Sequence, residues 1–304
     1  ALPICNPQAE RTATPQNYEV EIIYRGGTNE AGSGKDIVGL GPVGFWINGV
    51  AVFSPSAAGG APSGYSPVKD YHYNASFEAG LELGYSFGED LAGGHPAPGK
   101  PDFMGNPTGQ YHYHDFSFAN AWTTGYGATD GTRVAPEASV IGYLGGSLTH
   151  EDGHSKILGW ALDGFPIYGP YGYTLATDSN TAVKRMVSGY VLKGPSSRSA
   201  AVSNTTMYPM GIFVEDYQWS TQGDLDNHNG RYCVTPDFPD GTYAYFVTVD
   251  NQDKPVFPYV LGNTYYGTPT AQTAGVGQSV NIVQPLPPGD RKSTRLNSSH
   301  RCIS

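Results

Sequence analysis

Apolar and polar positions alternate at the start of the chain. Tyr18, Val20, Ile22 and Tyr24 interleave with Glu19, Glu21 and Ile23, the period of a half-buried strand. After a turn-rich stretch, the apolar runs Phe45-Trp46-Ile47 and Val50-Ala51-Val52-Phe53 flank Asn48-Gly49. Asn and Gly both tolerate positive φ, so this pattern predicts a hairpin with a type I′ turn. A related pattern returns at Trp160–Tyr168, around Asp163-Gly164. Gly44–Phe53 and Gly159–Tyr168 align without a gap, which reads either as an internal repeat or as the shared needs of two hairpins. Pro239-Asp240-Gly241 before Thr242-Tyr243-Ala244-Tyr245-Phe246-Val247 marks a third hairpin.

Residues 110–118 contain Tyr111, Tyr113, Phe116 and Phe118, all strong strand formers. Alternation on a strand puts His112 and His114 on one face and Tyr111 and Tyr113 on the other. Residues 54–70, 89–108 and 119–137 are rich in Gly, Pro and small polar residues and read as long loops. Helical signals are weak, with at most short helices near 174–186. The expected fold is all-β, an antiparallel β-sandwich or barrel-like domain with long Gly/Pro-rich loops and few short helices. Residues 1–16 are expected to form an extended N-terminal arm and 17–289 a single domain.

Composition sharpens this picture. The chain of 304 residues has 41 Gly and 22 Tyr but only 14% charged residues, which suits short aromatic strands joined by tight turns. A net charge of −10 argues against a nucleic-acid surface, which needs clustered Lys and Arg. No apolar run approaches the ~20 residues of a membrane-spanning helix. Residues 290–300, Asp-Arg-Lys-Ser-Thr-Arg-Leu-Asn-Ser-Ser-His, resemble the translation of a short-read sequencing adapter, so 290–304 is read as an artefactual tail outside the fold. Setting aside Cys302 leaves Cys5 and Cys233, either one disulfide of a secreted protein or two thiols. Asn74-Ala75-Ser76 and Asn204-Thr205-Thr206 have the form of glycosylation sites.

Four histidines stand out as ligands: His95, His112, His114 and His154. Neutral imidazole binds zinc and copper, and three such ligands leave a position open for water. The alternative is that they only hydrogen-bond among the tyrosines. His150-Glu151-Asp152-Gly153-His154 has the form His-Glu-x-x-His, but that motif needs a helix and Gly145, Gly146, Gly153 and Gly159 disfavour one. Asp163, like Asn48, precedes a glycine and reads as a turn residue. Asp224–Gly230 partly matches a calcium loop, with its Asn-Gly out of register and no Glu at the required spacing. Calcium is therefore a further candidate ion. His72, in Asp70-Tyr71-His72-Tyr73-Asn74, echoes the main histidine tetrad.

Tyr111-His112-Tyr113-His114 resembles the signature of the YHYH domain family. Gly93-Gly94-His95-Pro96, His154-Ser155 leading into Gly159–Pro170, Asn229–Pro236 and Gly241–Phe246 extend the resemblance from about Ile37 to Gly267. It implies one YHYH-like β domain and carries no catalytic assignment. The reading that follows is a secreted, extracellular protein binding copper or zinc at the histidines and supporting oxidative or hydrolytic chemistry on an extracellular substrate. The competing reading is a non-catalytic module for binding carbohydrate, such as a polysaccharide or other extracellular polymer, or for self-assembly. It rests on the abundant Tyr, Trp and Gly.

Overall fold

The computed structural model describes Ile22, residues 24–32, Gly34, Ile37, residues 41–56, 70–74, 94–96, 111–115, Val140 and residues 144–269. Their twelve strands are β1 (Pro42–Trp46), β2 (Ala51–Phe53), β3 (Gly94–Pro96), β4 (Tyr111–Tyr113), β5 (Ile157–Ala161), β6 (Pro166–Tyr168), β7 (Tyr171–Tyr173), β8 (Val183–Arg185), β9 (Tyr190–Leu192), β10 (Tyr217–Trp219), β11 (Gly230–Cys233) and β12 (Thr242–Phe246). Eight of them form one sheet in the order β11-β12-β6-β5-β1-β2-β4-β3, while β7 with β8 and β9 with β10 form two-stranded ribbons. The fold is all-β and sandwich-like, and its main sheet is an open one. Pairing is antiparallel except for the parallel contacts β2 with β4 and β6 with β12. Three single 3-10 turns and the lone helical position Val140 supply the helix among the described residues. None of it is long and apolar enough to cross a membrane.

The two aligned hairpins occupy the centre of the sheet. In β1–β2 the Trp46 N–H donates to the Val50 carbonyl and the Gly49 N–H to the Trp46 carbonyl, both at 2.9 Å. In β5–β6 the Ala161 N–H donates to Phe165 at 3.0 Å and the Gly164 N–H to Ala161 at 2.9 Å. Gly49 has φ 85° and Gly164 φ 90°, whereas Asn48 and Asp163 keep negative φ. Three residues thus lie between each pair of hydrogen-bonded closing residues, Trp46 with Val50 and Ala161 with Phe165. The turn is type I closed by a left-handed glycine, in place of the expected type I′. Asn48 Oδ1 accepts from the Val50 N–H at 3.2 Å, and Asp163 Oδ1 from the Phe165 N–H at 3.5 Å. Both residues shape their own turn. Asp163 is fully buried and also accepts from the Tyr245 hydroxyl at 2.6 Å and the Gly267 N–H at 2.8 Å.

β1 and β5 join the hairpins, pairing Gly44 with Ala161, Phe45 with Trp160 and Trp46 with Gly159. Gly159 is there because a Cβ would run into the Phe45 carbonyl and the Trp46 ring. Gly159→Ala is expected to destabilise the fold by about 2 kcal/mol, as overpacking a closed contact does. Urea unfolding would read it, and an unchanged midpoint would show that the strands can give way. The main core includes Phe45, Trp46, Val52, Phe165, Ile167, Tyr243, Tyr245 and Tyr265. A second cluster holds Tyr168, Met186, Leu225, Cys233, Ala244 and Phe246.

Some expectations change. Residues 174–186, where the sequence allows at most short helices, form the turn and second strand of the β7–β8 ribbon. Asp178 Oδ1 accepts from the Asn180 N–H at 2.9 Å, and Thr174 N–H donates to Ala182 at 2.8 Å, closing the ribbon. Cys233 is a free, buried thiol, its pKa pushed up to about 11 by burial. Its proposed disulfide partner Cys5 lies outside the described residues, as do the arm 1–16, the tail 290–304 and most of the strand expected at 18–24. Asn74 is buried, its Nδ2 donating to Gly211 and its Oδ1 accepting from Tyr259, so the first glycosylation triplet offers no acceptor in the folded chain.

Candidate metal centre

β4 carries the tetrad as its residue types demand. Tyr111 and Tyr113 pack against the main core, their rings edge to face at 5.5 Å. His112 and His114 lie on the other face, both buried. Their Nε2 atoms approach to 3.1 Å. Phe53 on β2 stacks on the His112 ring at 3.8 Å and meets His114 edge-on at 5.9 Å. The parallel contact of β2 with β4, which sets Ala51 opposite His112, brings Phe53 there.

His114 Nδ1 lies 2.6 Å from the Ser54 carbonyl. A carbonyl only accepts, so Nδ1 carries the proton and the Nε2 of the neutral ring presents a lone pair toward His112. Burial holds His114 down at about 4, against the weaker opposing pull of the Ser54 hydrogen bond. β3 pairs antiparallel with β4 and sets His95 at the position directly opposite His112. Backbone register thus gathers His95, His112 and His114 at one end of the sheet.

His154 is elsewhere. It lies against Tyr168, Tyr173 and Phe246, with ring centroids 5.3, 4.8 and 6.2 Å away. Tyr168 is on β6, four strand spacings from β4, roughly 19 Å at ~4.8 Å per spacing. His154 Nδ1 bonds the Ser155 carbonyl at 2.7 Å, and its buried Nε2 has no hydrogen-bond partner among the described residues. Burial lowers its pKa. The structure therefore brings His112 and His114 together and sets His154 apart.

The other singled-out groups are engaged locally. Residues 150–154 form a tight turn, with Gly153 N–H donating to His150 at 3.0 Å and Gly153 at φ 90°. They form no helix for a His-Glu-x-x-His site. His150 Nε2 meets Asp237 at 3.2 Å. Asp226 Oδ1 accepts from the N–H groups of His228 and Gly230 and from the Tyr243 hydroxyl, and Asp224 takes Lys184 at 2.6 Å. His72 pairs with Glu215 at 2.6 Å, chiefly through that hydrogen bond raising its pKa. Among the described residues no group of three or more His, Cys, Asp and Glu side chains is arranged around one ion. Sequence reasoning missed Phe53 and the Ser54 carbonyl. The gap-free alignment of Phe53 with Tyr168 was the available signal for the first, and nothing local marked the second.

The profile of the YHYH protein family matches residues 25–258, a span that contains β1 to β12 and the tetrad that starts on β4 and ends just past it. The chain belongs to the YHYH family. No curated protein and no solved structure matches it. In this YHYH protein, the second and fourth tetrad residues are the buried imidazole pair. The first and third are the tyrosines that anchor the strand to the core.

Proposed function

We propose that this YHYH protein binds a transition metal, copper or zinc, through His112 and His114, with His95 as the third ligand. The observation that carries this reading is the 3.1 Å separation of the two Nε2 atoms. Two imidazole nitrogens each ~2.0–2.1 Å from one ion lie roughly 3 Å apart. The Ser54 carbonyl supports it further by fixing the His114 tautomer with its lone pair inward, the usual role of a second layer around a metal. Phe53 stops the imidazoles from rotating away. An ion held there would support oxidative or hydrolytic chemistry on an extracellular substrate, and the chain would be secreted.

Calorimetric titration of metal-free protein with copper and with zinc tests the reading. His112→Ala and His114→Ala should each weaken binding by about 100-fold or more, and the double variant should lose little beyond either single one, because the ligands share one ion. Tyr113→Phe should bind normally, since Tyr113 packs on the opposite face. Equal binding by wild type and the double variant would end the proposal.

One observation favours a second reading, carbohydrate binding. Tyr24 is 44% exposed and lies 5.1 Å from Trp160 and 6.3 Å from Phe238, an aromatic surface suited to a sugar ring. Retention on insoluble polysaccharide that is lost in Tyr24→Ala, with the histidines intact, would support it.

A further inference from the structure

We infer that the eight-stranded sheet is two copies of one four-stranded unit, and that Arg231, Ala244 and Phe246 occupy the second copy's counterpart of the histidine site. The strand order is palindromic in pairing type. Reading outward from the β1–β5 contact, each side shows an antiparallel, a parallel and an antiparallel pair. Chain order is kept as well, with β1, β2, β3, β4 matching β5, β6, β11, β12.

The equivalence holds residue by residue. Val52 pairs with Tyr113, and its aligned partner Ile167 pairs with Tyr245. Gly94 pairs with Tyr113, and Gly230 with Tyr245. Tyr111-His112-Tyr113-His114 therefore corresponds to Tyr243-Ala244-Tyr245-Phe246, and Gly94-His95-Pro96 to Gly230-Arg231-Tyr232. A Cβ on Gly94 would strike the Tyr111 ring, and one on Gly230 the Tyr243 ring. The bulge between Pro42 and Gly44 recurs between Ile157 and Gly159. Ile47 N–H donates to Leu158 at 2.8 Å, and its counterpart Leu162 to Val43 at 2.9 Å. Two hairpins that merely shared turn chemistry would not also share bulges, parallel neighbours and outer glycines.

The two copies treat the site differently. In the first, the imidazole of His114 lies 5.9 Å from Phe53. In the second, the Phe246 ring lies 5.7 Å from Tyr168, and His154, Met186 and Leu225 close over that end. The imidazole pair sits in the first copy, and its counterpart in the second is core. Arg231 lies over the Phe246 ring, its guanidinium carbon 5.5 Å from the centroid. Arg231 stands opposite Ala244 as His95 stands opposite His112, yet reaches Phe246, the counterpart of His114; resting on the metal reading, that correspondence gives His95 its place as third ligand.

The test moves the second copy's residues into the first. His95→Arg, His112→Ala and His114→Phe together reproduce a set that the equivalent backbone already holds. Metal-free, this triple variant should melt within about 3 °C of wild type and roughly 6 °C above a variant with alanine at all three positions. A transplant that fails to fold, or melts no higher than the alanine variant, overturns the inference. Wild-type metal titration is read separately. If wild type binds no ion the metal reading falls, while the melting comparison still decides the duplication.

Discussion

Asp216→Asn and Arg198→Met are each expected to cost the fold about 3–5 kcal/mol, the usual penalty for breaking one side of a buried ion pair. The two side chains are 0% and 1% exposed. Arg198 Nε donates to Oδ1 at 2.6 Å and Nη2 to Oδ2 at 2.5 Å, a two-pronged pairing. The remaining guanidinium hydrogens reach the carbonyls of Val202, Tyr208 and Pro209. The carboxylate also accepts from the N–H groups of Gly211 and Phe213. Each charge is therefore desolvated and satisfied only while the other is present. The pair closes the 198–216 segment on itself around Phe213, whose ring lies under the guanidinium. That segment in turn holds residues 71–74 through the Val214 N–H to His72 bond at 2.9 Å. Urea unfolding of both variants measures the cost. Losses under 1 kcal/mol would mean that water replaces the missing partner.

Metal-free protein is expected to lose stability steadily as pH falls from about 6.5 toward 4. His114 in the folded state is held at about 4 by burial, below its unfolded value of 6.5. The unfolded chain therefore binds the proton first. The stability this group contributes is full above about 6.5 and is withdrawn as pH falls toward the folded pKa. A shift of that size is worth on the order of 3 kcal/mol. His154, also lowered by burial, acts in the same direction. His72 opposes them, because its Glu215 hydrogen bond raises its pKa. Its contribution is present below about 6.5 and is lost as pH rises through the raised value. The carboxyls of Asp163 and Asp226, raised by burial, oppose the loss nearer the acid end, so the two buried imidazoles show as a net loss where pH first falls below about 6.5. Melting curves between pH 4 and 8 read it, and His114→Phe should flatten the profile. A flat wild-type profile would show that these imidazoles are not buried neutral.

What the sequence made legible was local. Strand β4, its two faces, and the turns at Asn48-Gly49, Asp163-Gly164 and Gly241 follow from alternation and from residues that accept special backbone angles. The turn type did not, because loop length depends on where pairing ends, and that is set by the partner strand. Weak helical signals at 174–186 left the β7–β8 ribbon unread, although Asp178-Ser179-Asn180 carries turn chemistry. His154 was grouped with His112 and His114 because sequence shows residue type without distance. The parallel contacts of β2 with β4 and β6 with β12, which decide who neighbours whom, leave no local trace. Nor does the Arg198–Asp216 pair, in which each partner by itself reads as an ordinary surface charge.

The β1–β5 contact joins residues more than a hundred positions apart in the chain, Gly44 with Ala161. Farther out, the Tyr243 N–H reaches the Thr28 carbonyl and the Ile37 N–H reaches Asn263. During synthesis the first copy of the unit therefore emerges with its β1 edge unpaired and waits for β5. Its N-terminal strap waits longer still, for residues beyond 240. Loop closure on that scale is an entropy cost met before any contact repays it. The half-made chain meanwhile presents an apolar strand edge to its neighbours. Folding of this protein should be slow for its size, and its yield should depend on protein concentration during refolding more than on the final stability of the sheet.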